Sequence, residues 1–189
     1  MFLTTMADAI EQIRLAILAY VIMPNHFHLV LWPEHGPDIS AFMRWFMNAH
    51  IRRYHRFGEL WGTGHLYQGR FKAFPVQTDH HLLTVLRYVE ANPLRARLVA
   101  RAEAWGWSSL TRPTSLDGRV LLTDSPVRRP DHWTEVVNER LPIATYDSVR
   151  TAAQRQIPFG DPNWIRFVDQ QKKGFSSETD LTSDRATAS

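Results

Sequence analysis

Pro24-Asn25 divides an otherwise apolar stretch, residues 15–32, into two runs of strand length. A turn-forming pair between two such runs predicts a β-hairpin, with strands over residues 15–23 and 26–32. The second run carries His26 and His28 one residue apart. Side chains alternate along a strand, so the two imidazoles project to one side while Phe27 and Leu29 point to the other. Two imidazoles with a shared projection can hold one divalent ion or one phosphate. The alternative is an ordinary pair of solvent-facing strand histidines.

The segments around the hairpin read mainly as helices. Phe2, Leu3, Met6, Ala9, Ile10 and Ile13 recur at three- and four-residue spacing, which predicts an amphipathic helix over 2–14. Asp38 is the expected N-cap of a helix reaching about Phe57, with Phe42, Phe46 and Ala49 inward and Arg44, Arg52 and Arg56 on other faces. Residues 60–66 form a glycine-rich, aromatic loop without the spacing of a phosphate-binding P-loop. Residues 70–76 alternate charged and apolar and predict a strand that Pro75 ends or confines to an edge. Thr78 or Asp79 caps a further helix with Leu82, Val85, Leu86 and Val89 as its stripe, and Pro93 closes it or starts a new turn. On its flank Tyr88 and Asn92 lie four residues apart, one above the other.

Trp105 to Ser109 reads as a packing plug, and residues 111–130, rich in Pro, Arg and small polar residues, as a linker. Short helices are expected over 131–141 and 146–171, anchored by Trp133, Trp164 and Phe167, and a disordered tail over 172–189. The expected organisation is therefore a main domain over 1–110, a linker over 111–130, a helical region over 131–171 and the tail.

At 189 residues the chain suits one domain with an appendage. The absence of cysteine excludes a disulfide scaffold, a thiolate zinc site and a cysteine nucleophile, and fits a reducing cytosol. No apolar run approaches the ~18 to 20 residues of a membrane span. Acidic Asp8 and Glu11 precede the longest run, unlike a secretory signal, so a cytoplasmic protein with no membrane partner is expected. The net charge is only +3, yet between Ser40 and Arg101 ten Lys or Arg face three acids. Trp45, Tyr54, Trp61, Tyr67 and Phe71 interleave with them, a pattern suited to a polyanion with stackable bases. A solvated helix face over core aromatics has the same composition.

A divalent ion on His26, His28 and a third oxygen ligand would polarise a phosphoryl group. Tyr88 is the candidate nucleophile, because a phenolate can form a phosphotyrosine link, and Asn92 is a candidate third ligand through its amide oxygen. The plainer reading makes Tyr88 a packed helix-flank aromatic and Asn92 a C-terminal cap.

The order Ala19-Tyr20-Val21-Ile22-Met23-Pro24-Asn25-His26-Phe27-His28-Leu29, Tyr67-Gln68-Gly69-Arg70-Phe71-Lys72, Arg87-Tyr88-Val89-Glu90-Ala91-Asn92-Pro93-Leu94-Arg95-Ala96 and Trp107-Ser108-Ser109 resembles the REP-associated tyrosine transposases, of the single-tyrosine HUH superfamily. Pro158-Phe159-Gly160-Asp161-Pro162-Asn163-Trp164 is similar to a C-terminal signature of some members. The resemblance implies an α+β fold with a ferredoxin-like antiparallel sheet packed with helices, plus a small helical C-terminal appendage. It implies Mg²⁺ or Mn²⁺ on His26, His28 and Asn92, no small-molecule cofactor, and attack by Tyr88 on single-stranded or hairpin DNA to give a 5′-phosphotyrosine and a free 3′-hydroxyl. Arg44, Arg52, Arg53 and Arg56 on the basic helix, with Arg70, Lys72, Arg95 and Arg97, are then expected DNA-backbone contacts. Related enzymes act as monomers or homodimers.

Members of that family usually open with a further strand, containing a Tyr-His-x-x-x-Arg-Gly-like segment, in the middle of the sheet. The sequence begins at the helix that follows it: either the start has been misplaced or lost, or the protein folds with an incomplete sheet, which would expose unpaired strand edges and lower stability. Three functional readings follow: a metal-dependent strand transferase using Tyr88, a non-catalytic hairpin-binding relic that needs neither Tyr88 nor metal, and a hydrolase whose His pair activates water and survives Tyr88→Phe.

Overall fold

The computed structural model of the chain describes residues 1–57, 65–111, 115–116 and 119–171. The fold is α+β. Helix α1 (Phe2–Gln12) leads into strands β1 (Leu15–Ile22) and β2 (Phe27–Pro33), which pair antiparallel with Val21 opposite His28 and Tyr20 opposite Leu29. The turn closes through Met23 N–H donating to the His26 carbonyl at 2.8 Å, which leaves Pro24 and Asn25 at an exposed tip.

The register slips between Ile17 and Ala19, a β-bulge centred on Leu18. A bulge reverses which residue parity faces which side. Before it Leu15 and Ile17, and after it Tyr20 and Ile22, therefore share one face with Phe27, Leu29 and Leu31. There they pack with Leu3, Met6 and Ala9 of α1 and with Phe42 and Phe46 of α2 (Gly36–Phe57). The opposite face, with Leu18, Ala19, Val21 and Val30, meets α3 (His80–Glu90) through Leu82, Val85, Leu86 and Val89.

The caps follow side-chain chemistry. Asp79 caps α3 as expected, its carboxylate accepting the His81 N–H at 2.7 Å. Helix α2 starts two residues before Asp38. Asp38 instead reaches back from the first turn to accept the His35 N–H at 2.8 Å, the reciprocal half of a capping box. Pro93, which has no N–H to lose, opens a new turn, α4 (Asn92–Arg95).

Residues 70–76 are not a strand. Only Val76 bridges, in parallel, to Phe159, while the Pro75 carbonyl accepts Phe159 N–H and Gln77 N–H donates to the Phe159 carbonyl. The charged–apolar alternation there leaves Arg70 and Lys72 exposed and Phe71, Phe74 and Val76 half-buried against the cores, and among the described residues no strand lies beside it to make a ladder. The same short pairing explains the Pro-Phe-Gly-Asp-Pro-Asn-Trp sequence. Gln77 exchanges side-chain bonds with Asp161, and the Asp161 carboxylate accepts the Asn163 and Trp164 N–H groups, starting a helix over 162–171. A Cβ on Gly160 would meet the Trp164 ring and, at 2.7 Å, Gln77 Oε1. Gly160→Ala is therefore expected to lower stability by about 1–3 kcal/mol in denaturant unfolding, the usual cost of forcing a methyl into filled space.

The outer edge of β1 is covered. Ser109 N–H donates to the Tyr20 carbonyl and Tyr20 N–H donates to Ser109 Oγ, Ile22 N–H donates to the Trp107 carbonyl, and Trp105 Nε1 donates to the Ile22 carbonyl. Thr123 N–H donates to the Ile17 carbonyl, and Arg129 to that of Leu18. The plug thus works through Trp105 and the buried serines 108 and 109, whereas Trp107 is half exposed.

Part of the expected linker is consequently structural. The short hairpin β3 (Ser115–Leu116)–β4 (Arg119–Val120) lies against α1, where Arg119 pairs with Asp8, and Leu121 is buried in the α1–α2 core. Helices α5 (Trp133–Asn138) and α6 (Ile143–Arg155) contribute Trp133, Val137 and Val149 to the α3 core. Helix α6 ends at Gln156, whose left-handed φ of 57° separates it from the helix over 162–171, in keeping with the short helices expected there. Trp133 is buried as an anchor should be, but Phe167 is 57% exposed and anchors nothing. The loop expected over 60–66 lies largely, and the tail over 172–189 wholly, outside the described residues.

Candidate active site

The hairpin places His26 in the connection just before β2 and His28 as the second residue of that strand. Their ring centroids are 5.0 Å apart at 89°. His26 is exposed, and its Nδ1 lies 2.7 Å from Asn25 Oδ1. An amide oxygen only accepts, so Nδ1 carries the proton and the lone pair sits on Nε2. His28 is half-buried beneath it. Burial, reinforced by the neighbouring His26, pushes its pKa down to about 4, and burial lowers that of His26 too. At neutral pH both rings are neutral, the form that ligates a metal. This donor set fits a divalent ion.

That shift carries a stability consequence whose sign is fixed. The unfolded chain takes up the His28 proton near 6.5, the folded chain only near 4, so stability falls as pH drops through that window and is unaffected by this group above it. In EDTA, the wild-type Tm is expected to fall roughly 3 °C further between pH 7.5 and 4.5 than that of His28→Gln. Parallel melting curves would exclude this burial effect.

Tyr88 comes to the pair from the last turn of α3, its ring 6.0 Å from that of His28 at 82°. The residue is only 7% exposed, and burial, with the hydroxyl of Tyr146 beside it, pushes its pKa up to about 12; the positive charges of Arg150 and Arg95 oppose the rise. Tyr146, on α6, packs its ring 5.3 Å from Tyr88 and carries the Arg95 guanidinium at 4.5 Å. Asn92 donates from Nδ2 to the Tyr88 carbonyl at 3.0 Å. It satisfies an orphan carbonyl at the end of α3 and spends its amide N–H in doing so, not Oδ1.

The expected DNA contacts divide by environment. Arg44, Arg52 and Arg56 are exposed at four- and eight-residue intervals along α2, and Arg70 and Arg97 are exposed as well. Arg53 is instead tied to α1, with Asp8 at 2.5 Å and Thr5 Oγ1 at 2.9 Å. Lys72 donates to the Gln154 carbonyl at 3.4 Å, and Arg95 is half-buried on Tyr146. Tyr67 donates to or accepts from His50 Nδ1 at 2.7 Å and packs on Phe27, pinning the Tyr-Gln-Gly-Arg segment beneath the hairpin.

Three residues around Tyr88 and Arg95 were not singled out by sequence: Tyr146 and Arg150, which act on Tyr88, and Arg140, which acts on Arg95. The first two share a face of α6 at four-residue spacing, a pattern no different from any solvated helix flank. A second group, Asp79, His80 and His81, brings three possible ligand atoms within 4.8 Å of one another. Its Asp79 Oδ1 already accepts from the His81 backbone and faces His81 Nδ1, and it sits two helical turns before Tyr88.

Residues 1–92 match the family model described as Transposase IS200 like. The matched segment contains the hairpin, both histidines, Tyr88 and Asn92, and stops before Tyr146. This match, over just under half of the chain, supports a transposase of the IS200-like type, a class whose work is DNA processing. No curated protein and no solved structure matches the chain. Among the described residues no helix is long and apolar enough to cross a membrane.

Proposed function

We propose that the chain is a metal-assisted DNA strand transferase that cleaves and rejoins single-stranded or hairpin DNA of the REP type through Tyr88, acting in the cytoplasm. The observation that carries this reading is the convergence of His26, His28 and Tyr88 from two separate elements onto one place. In the reaction Tyr88 loses its hydroxyl proton and its oxygen forms a bond to phosphorus. The bond from phosphorus to the 3′-oxygen breaks, and that oxygen takes up a proton. One phosphoester replaces another, so the step is reversible and can join strands.

His26 through Nε2, His28, and Asn92 through Oδ1 would hold Mg²⁺ or Mn²⁺, which when bound supplies Lewis-acid charge at the phosphate oxygens. Arg95 and Arg150 place positive charge beside the tyrosine oxygen, which favours its ionised form. The exposed arginines of α2 and Arg70 supply sequence-independent attraction for the DNA backbone.

The test is a denaturing gel of the full chain with labelled hairpin oligonucleotides carrying single-stranded flanks, in Mn²⁺ or EDTA. A protein–DNA adduct is expected in Mn²⁺ only, and the double variant His26→Ala/His28→Ala should lose it. The burial of Tyr88 favours one competitor, a binding module that never ionises the hydroxyl. Tight hairpin binding with no adduct under any divalent metal would establish that reading instead.

A further inference from the structure

At Tyr146, the ring that packs on Tyr88, α4 and the α5–α6 corner line an open cavity of about 470 Å³. That lies within the ~300–1,000 Å³ of small-molecule sites. Arg95, Arg97 and Arg140 line it. None of the three has a carboxylate partner among the described residues, and Arg95 feels the positive charges of Arg87 and Arg140 as well. The one carboxylate in the lining, Glu139, is 66% exposed and faces Arg87 at 3.5 Å. Like charges held together without counter-charge favour an anion.

Two features make the cavity more than a basic patch. The Arg95 guanidinium sits over the Tyr146 ring, 4.5 Å from its centroid, and is half-buried at the cavity wall. Arg97 occupies a left-handed backbone position, φ 57°, just past the end of α4, where glycine is the favoured residue. A guanidinium plane backed by an aromatic ring stacks on bases, and free guanidiniums bind phosphates.

We infer that this cavity is a binding site for one unpaired nucleotide of the DNA flank, its base stacked on Arg95 and its phosphates held by Arg97 and Arg140. The inference rests on the strand-transfer reading, and it assigns a substrate-positioning role to a part of the chain beyond the family-matched residues. Holding a nucleotide there fixes the neighbouring phosphodiester next to Tyr88, since Tyr146 contacts both Arg95 and Tyr88.

The test is fluorescence anisotropy of the full chain with a labelled hairpin bearing a single-stranded flank, in EDTA so that nothing is cleaved, across a range of salt. Arg97→Gln and Arg140→Gln should each weaken binding about 3- to 10-fold and lower the slope of log K against log salt by about 0.7. Arg95→Lys keeps the charge and loses the plane, so the slope should hold while affinity falls about 5-fold. That loss should vanish on a flank made abasic at one position, the position whose base normally stacks. If Arg97→Gln and Arg140→Gln leave the slope unchanged, or the Arg95→Lys loss is the same on every abasic flank, the site does not hold a nucleotide. The wild-type adduct gel is scored separately: adduct with normal binding by all three variants removes this site alone, whereas absence of adduct removes the strand-transfer reading. Circular dichroism of each variant verifies folding.

Discussion

Tyr88→Phe is expected to abolish the covalent protein–DNA adduct, by at least about 10³-fold, while leaving hairpin affinity within about twofold of wild type. The substitution removes only the oxygen. Phenylalanine keeps the ring that packs 6.0 Å from His28 and 5.3 Å from Tyr146, in a position only 7% exposed. The lost interaction is with the half-buried Tyr146 hydroxyl, so the stability change should stay within about 1 kcal/mol. A folded, DNA-binding, inert protein is thus the specific result.

The wild type should also show a rate of adduct formation that climbs with pH, since a hydroxyl held near 12 in the free protein ionises about tenfold more for each pH unit gained between 7 and 9. Adduct that survives Tyr88→Phe would mean another nucleophile, and hydrolysis without adduct would return the water-activating reading of the His pair. Single-turnover gels at three pH values distinguish all of these.

The parts of this site that could be read from sequence are those set by local rules. Pro24-Asn25 and strand alternation placed His26 and His28 together, because a two-residue period leaves no other choice for residues one apart. The helical period put Asn92 over Tyr88, and Asp79 capped its helix because a short carboxylate can reach N–H groups of the first turn. What local rules do not contain is where continuous apolar runs slip. Leu15 to Met23 is hydrophobic on both faces, so nothing in it marks Leu18 as the bulge that turns Tyr20 toward α1 and Val21 toward α3.

Long-range pairing was equally silent. Residues 70–76 carry a strand-like alternation without a neighbouring strand, whereas the Pro- and Arg-rich stretch after 111 looks like a linker yet sends Leu121 into the core and Arg129 to the β1 edge. Tyr146 reaches Tyr88 from 58 positions along the chain, a distance no spacing rule spans.

Glu90 is the clearest case of a residue whose importance lies wholly in such pairing, and its replacement carries the largest expected effect on stability. On the helix pattern it is one more charged residue, yet its side chain is 0% exposed. Its carboxylate accepts Trp133 Nε1 at 2.6 Å from α5 and Ser109 Oγ at 2.7 Å from the segment covering β1, and it faces Arg129 at 3.5 Å. Arg129 in turn donates to the Leu18 carbonyl at the bulge, and Ser109 Oγ accepts Tyr20 N–H. One carboxylate therefore joins α3, the β1 edge and α5. Glu90→Ala leaves an indole N–H, a hydroxyl and a guanidinium without their acceptor in the interior, and should cost about 3–5 kcal/mol, a fall in Tm of roughly 10 °C. Glu90→Gln keeps an acceptor oxygen but loses the charge facing Arg129, and should fall between. Removing both charges in Glu90→Leu/Arg129→Leu should recover part of the loss, because an uncompensated buried charge costs more than an apolar pair. Since Glu90 sits two residues after Tyr88 and holds α5 against α3, Glu90→Ala should also reduce adduct formation at temperatures where the protein is still mostly folded. A Tm for Glu90→Ala within 2 °C of wild type would show that the three donors find other partners and that the carboxylate does not bind these elements together.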